Sequence, residues 1–192
     1  DDTIAWYEND GADNPTWAAA DIATSADGAE IVFVADMDAD GDLDIVSASH
    51  LDDTIAWYEN DGADNPTWSA ADITTSADVA LGVHVADMDG DGDLDIISAS
   101  ESDDTIAWYE NDGAANPTWT AADIATSADG ARYVYVADMD ADGDLDIVSA
   151  SGADDTIAWY ENNCNGNDPL IFDLDGDGIE LLGLDANINF DI

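Results

Sequence analysis

The chain has 192 residues, of which 47 are Asp or Glu against a single base, Arg132, for a formal charge of −46. Phosphate recognition needs clustered Lys and Arg, so nucleic acid is excluded as a partner and an anionic membrane surface is disfavoured. No apolar run reaches the roughly 18 residues that a membrane-spanning helix needs, so no membrane insertion is expected. Charge of this size repels itself, and bound divalent cations, ambient salt or both must offset it. Highly charged chains often stay disordered, but here 46% of residues are hydrophobic, with seven Trp and six Tyr, so folding is expected.

The chain opens on Asp-Asp-Thr-Ile-Ala-Trp-Tyr-Glu-Asn at Asp1, and the same nine residues return at Asp52, Asp103 and Asp154, 51 residues apart. Asn-Pro-Thr-Trp follows at Asn14, Asn65 and Asn116. A whole unit holds four short segments bounded by turn residues. The first, Ile31–Asp36, is apolar and β-branched, and the second is Leu43–Ser49, with an acidic turn between them. In the third, Thr54–Glu59, Ile55 and Trp57 face one side while Thr54, Ala56 and Tyr58 face the other. Asp61-Gly62 supplies a turn signal, and the fourth segment, Thr67–Thr75, opens after Pro66.

No segment carries a helical period, so the fold class is all-β. Four antiparallel strands per 51-residue repeat make each unit read as a propeller blade. The repeat domain covers residues 1–163, with units shifting at about 30, 81 and 132, and residues 164–192 form a separate tail. The phase gives strands three and four of one unit, two whole units, then strands one to three of another. Three blade equivalents are fewer than the roughly 4–8 of a closed propeller. Open edges seek partners, so the blades are expected to stay open or to be completed by oligomerisation, as a ring or a head-to-tail filament.

The acidic turn carries the chemistry. Val-Ala-Asp-Met-Asp-Ala-Asp-Gly-Asp-Leu-Asp-Ile runs from Val34 to Ile45 and returns from Val85, with Gly90 for Ala, and from Val136. Carboxylates at loop positions 1, 3 and 5, glycine at 6, a carbonyl at 7 and a carboxylate at 9 suit the wrapping of a hard cation. Alternating acids repel unless a cation sits among them. The tail repeats the theme at Asp173, Asp175 and Asp177, a possible fourth site whose last ligand the spacing leaves open.

The loops joined to the Trp-Tyr-Glu-Asn strands resemble the FG-GAP/VCBS repeat family, whose blades build integrin-α-like propellers and many secreted proteins. The resemblance implies one calcium ion in the hairpin between the first two strands of each blade. Carried over by position, the ligands are Asp36, Asp38, Asp40 and Asp44 with the carbonyl of Asp42. In the next unit they are Asp87, Asp89, Asp91 and Asp95 with Asp93, and in the third Asp138, Asp140, Asp142 and Asp146 with Asp144. The Phe-Gly and Gly-Ala-Pro elements that name the family are absent. The tail segment Asp-Leu-Asp-Gly-Asp-Gly-Ile-Glu resembles RTX-type calcium proteins.

Other chemistry finds little support. Cys164 is the only cysteine, so no intrachain disulfide can form, and His50 and His84 occupy non-equivalent repeat positions. No nucleophile stands beside a base in a recognisable motif, so no enzymatic activity is expected. Trp6, Trp57, Trp108 and Trp159 are expected to pack between sheets, and Trp17, Trp68 and Trp119 to lie nearer the surface, where they could hold a glycan. The chain begins without an initiator Met or a signal peptide, as a processed mature form would. The expectation is an extracellular, secreted or surface-displayed calcium protein with a structural or adhesive role and a tendency to self-associate. The alternative is a lectin-like glycan-binding module.

Overall fold

The computed structural model describes residues 2–163. It contains thirteen strands and no helix among these residues. β1 (Ile4–Asn9) and β2 (Trp17–Ala23) form a two-stranded sheet. β3 (Ala29–Ala35), β4 (Asp44–Ser49), β5 (Thr54–Asn60) and β6 (Trp68–Thr74) form a complete four-stranded meander. β7 (Ala80–Ala86), β8 (Asp95–Ser100), β9 (Thr105–Asn111) and β10 (Trp119–Ala125) repeat it. β11 (Ala131–Ala137), β12 (Asp146–Ser151) and β13 (Thr156–Tyr160) make a final three-stranded sheet. All pairings are antiparallel, and the first and last sheets do not join each other, so the repeat stays open.

Local chemistry recurs with the repeat. Each first strand carries a bulge at the same place, where Glu30, Leu81 and Arg132 slip out of register. A bulge bends and twists its strand, which curves each sheet toward the next. Between the second and third strands the chain turns through a left-handed Asp, with φ 58° at Asp53 and 57° at Asp104. Asp tolerates that conformation better than most residues because its short side chain bonds locally. The third-to-fourth connection is longer than a two-residue turn. Asp61 closes it by accepting the Thr67 N–H at 3.0 Å and hydroxyl at 2.5 Å, while its own N–H bonds Thr67 O.

The sheets stack face to face, and three apolar clusters fill the gaps. Ile4 and Ala26 meet Ile45, Ala56 and Tyr58 between the first and second sheets. Val46, Ile55 and Trp57 meet Val83, Val85 and Ile96 between the second and third. Ile97, Ala99 and Ile106 meet Val134, Val136 and Ile147 between the third and last. The alternation expected in β5 is therefore met, with Ile55 and Trp57 serving one interface and Ala56 and Tyr58 the other. β4 and β8 are buried along their whole length because a neighbour covers each face. An aromatic row runs across the sheets, Phe33 to His84 at 4.9 Å and His84 to Tyr135 at 5.0 Å, both edge-on.

Candidate metal centres

Each acidic loop joins the first two strands of a sheet, between β3 and β4, β7 and β8, and β11 and β12. The loop curls around its first carboxylate. Asp36 accepts the Asp40 and Gly41 N–H groups at 3.1 and 3.0 Å, and Asp87 accepts those of Gly90 and Gly92 at 2.8 and 3.0 Å. Asp138 takes the Gly143 N–H at 3.2 Å. Two turn residues are left-handed. Gly41, Gly92 and Gly143 stand at φ 100°, 101° and 101°, where a Cβ is strained. Two places earlier in the loop, Ala39 and Ala141 sit at φ 59° and 65°, where the second repeat uses Gly90.

This curl brings carboxylates together. Asp36, Asp38 and Asp40 each offer an oxygen within 4.8 Å of the others, and Asp87, Asp89 and Asp91 do the same. The third set comprises Asp138, Asp140 and Asp146. Calcium binds oxygens at about 2.3–2.6 Å, so oxygens up to about 5 Å apart can share one ion. An all-carboxylate set suits a hard cation and offers nothing to a soft one. Burial first, then the neighbouring charges of Asp40, Asp44 and Glu59, raises the Asp38 pKa, and burial with Asp91 and Asp87 raises that of Asp89. Both causes disfavour the ionised form, and a cation held at the centre of the set would offset both.

The closing acid of each loop plays a second part. Asp44, Asp95 and Asp146 are buried at the start of β4, β8 and β12. Asp44 accepts the Met37 N–H at 3.1 Å on one oxygen and the Asn60 N–H at 2.9 Å on the other. Asp95 holds Met88 and Asn111 at 3.0 and 2.8 Å, and Asp146 holds Met139 and Asn162 at 2.9 Å each. This carboxylate thus pins the loop entrance to the end of the third strand. Burial pushes Asp95 up to about 6, against the Asn111 and Met88 N–H groups that favour its charge.

Not every expected residue joins a set. Asp146 is included in the third, whereas Asp44 and Asp95 lie outside theirs, as does Asp142. Asp42 and Asp93, expected to offer their backbone carbonyls, lay their side chains onto the third-to-fourth connection. A Cβ built on Gly62 or Gly113 would fall 2.0 Å from their carboxylate oxygens, so glycine makes room for them. Asp144, likewise expected through its carbonyl, has its N–H bonded to Asp142 at 3.0 Å. Asp173, Asp175 and Asp177, with the RTX-like tail, lie outside the described residues.

One element escaped the sequence reading. The Asn at or just past the end of the third strand reaches across to the previous metal loop in the last two sheets. Asn111 Nδ2 donates to Met37 O at 3.0 Å and Asn162 Nδ2 to Met88 O at 2.9 Å. Each amide also holds its own loop, Asn111 at Leu94 O and Asn162 at Leu145 O, both at 3.1 Å. Successive loops are therefore tied to each other. The available signal was the return of Asn in every Trp-Tyr-Glu-Asn copy, at a point where strand patterning alone asks only for a polar residue.

Trp57 is buried between sheets as expected, and Trp108 packs partly buried at the next interface. Trp68 and Trp119 are partly buried and pack against the core clusters, while Trp17 is 60% exposed.

A family model described as an FG-GAP-like repeat matches residues 36–98 and 87–149. Each match begins at the first Asp of an acidic loop and runs through the next loop, and together they span more than half of the chain. No curated protein shows significant similarity to the chain. With antiparallel four-stranded sheets recurring at the spacing of the acidic loops, the chain belongs to the FG-GAP-like repeat family.

Proposed function

We propose that this chain is an extracellular, non-enzymatic structural or adhesive repeat protein whose acidic loops bind calcium and which associates with copies of itself. The observation that carries the reading is the set of three carboxylates gathered at each first hairpin, three times along the chain. Each ion would replace mutual repulsion by attraction at a loop that the interstrand Asp and the cross-sheet Asn tie to the next sheet. Calcium at one loop would then stiffen its neighbours. Calcium rather than magnesium fits an irregular loop with many oxygens, and weak modules of this kind work at the millimolar calcium found outside cells.

The histidines support a structural reading. His50 Nδ1 lies 2.7 Å from Gly28 O and 3.1 Å from Glu30, and His84 stands between two aromatic rings. Glycan binding at the Trp-bearing turns has less support, because Trp68 and Trp119 are engaged in packing between sheets. A glycan array with the intact protein tests it.

The deciding experiment is thermal unfolding in calcium and in EDTA. Binding at 100 times Kd adds about 2.7 kcal/mol per site, so three sites would raise the melting temperature by many degrees. Asp38→Ala with Asp89→Ala and Asp140→Ala should remove most of that gain. Superimposable melting curves with and without calcium would overturn the reading.

A further inference from the structure

The first and last sheets present the two halves of an interface that the interior already contains. Val32 and Val34 on β3 are 47% and 52% exposed, while their counterparts Val83 and Val85 on β7 are 2% and 6% exposed under the preceding sheet. A slot of about 480 Å³ opens over this part of β3, between Tyr7, Leu43, Asn60 and Trp68. At the other end the outer face of β11–β13 shows Tyr133, Tyr135, Ile157 and Trp159 to solvent. Ile55 and Trp57, the counterparts of the last two, are covered by the next sheet.

Resting on the reading of a self-associating repeat, we infer that copies join by strand exchange: the β11–β12 hairpin of one copy fills the slot of a second, and β1 of the second replaces β13 on β12. The repeat arithmetic gives the register. An offset of three repeats places Asp154–Asn162 on Asp1–Asn9, and these nine residues are identical. The incoming strand therefore reproduces every contact of the leaving one. It also arrives already paired with β2 and packed on the second sheet, so the composite sheet has four strands instead of three. The leaving strand gives up its ladder to β12, which the incoming strand restores, and loses little side-chain burial, since three of its five residues are exposed.

Three further features close in the same register. Asn60 Nδ2 bonds Leu43 O within its own loop, and Met139 O of the joined copy comes to the place that Met37 O takes for Asn111. Tyr7, exposed in a single copy, takes the position from which Tyr160 reaches Ser149 at 3.4 Å. The row Phe33–His84–Tyr135 continues, because Tyr135 of one copy precedes Phe33 of the next. The contact is head to tail and leaves the same slot and hairpin free at the two ends, so it propagates.

The test uses the full chain with Cys164→Ser, in millimolar calcium, read by light scattering and non-reducing electrophoresis. Ser149 and Ala158 are direct strand partners, and Ala5 is the counterpart of Ala158. Ser149→Cys with Ala158→Cys should, when oxidised, lock β13 in place and hold the protein as single copies, and reduction should restore assembly. Ser149→Cys with Ala5→Cys should instead give a covalent ladder of multimers. Val34→Glu, at a site exposed in one copy, should cut the assembled fraction at least tenfold without changing the melting temperature of single copies. Assembly that persists through the oxidised lock would mean end-on stacking and overturn the exchange. A chain that stays single while calcium still raises its melting temperature would overturn this inference together with the self-association proposed above and leave the calcium binding standing, whereas loss of the calcium effect would overturn that calcium binding.

Discussion

The inner sheets, β3–β6 and β7–β10, and the outer ones, β1–β2 and β11–β13, are written in nearly the same residues and live in different surroundings. Ile106 on β9 is fully buried, and Ile157, at the same repeat position on β13, is 73% exposed. Both strands lie in segments that read Thr-Ile-Ala-Trp-Tyr-Glu-Asn. Strand formation is thus a property of the repeat, while burial belongs to the neighbour that stacks on it. In a repeat protein stability is roughly a sum of unit and interface terms, and the outer sheets have only one interface each.

Substitution pairs at matched positions sharpen this difference. The largest contrast is expected from Ile106→Ala against Ile157→Ala: about 2–5 kcal/mol for the buried residue and under about 0.5 kcal/mol for the exposed one, by chemical denaturation in calcium. Equal losses would mean that the last sheet is covered in solution. Next comes Asn111→Ala against Asn60→Ala. The first removes the amide that holds Met37 O across sheets and should cost about 1–3 kcal/mol. The second loses the Leu43 bond at an exposed site, worth about 0.5–1.5 kcal/mol.

The metal loops offer a smaller, two-way test. Ala39→Gly relieves a left-handed alanine and should stabilise by up to about 1 kcal/mol, whereas Gly90→Ala at the same loop position should destabilise by a similar amount. Opposite signs in the two melting curves would support the shared backbone shape.

Acid titration probes the same loops without any substitution. Burial lifts Asp95 from its ordinary 3.8 to about 6, so ionising it opposes folding. In EDTA that stabilisation by the proton is fully present below pH 3.8 and is lost as pH rises through 6. Through Asp95 the ion-free protein should therefore melt higher at pH 5 than at pH 7. With calcium the sign reverses, because the ion needs ionised carboxylates. Asp61 and Asp112, held low first by the Thr67 and Thr118 hydroxyls, favour the fold above 3.8 and lose that contribution only in stronger acid.

Much of this architecture was legible before the structure. The segment Thr54–Glu59 lies within β5, and Leu43–Ser49 covers β4, because alternating apolar residues bounded by Asp and Gly leave few other options. The carboxylates at loop positions 1, 3 and 5 come together in the first two loops because the left-handed glycine at position 6 folds a short local segment, and local geometry is readable from spacing. The same spacing offers Asp44 and Asp95 as ligands. Their use of both oxygens on backbone N–H groups comes from a strand 16 residues away, which spacing does not convey. The exposed Trp17 and half-buried Trp68 share a motif and differ only in what stacks beside them.

The sequence by itself determined the strands, their hairpin order, the repeat length and the acidic loops, since each depends on residues close together in the chain. Tertiary structure decided which faces are buried, how Asn111 and Asn162 tie one loop to the next across 74 residues, and that the two outer sheets stay apart. Those features depend on the curvature with which one sheet stacks on another, a summed property of bulges, twist and side-chain volume that no single motif encodes.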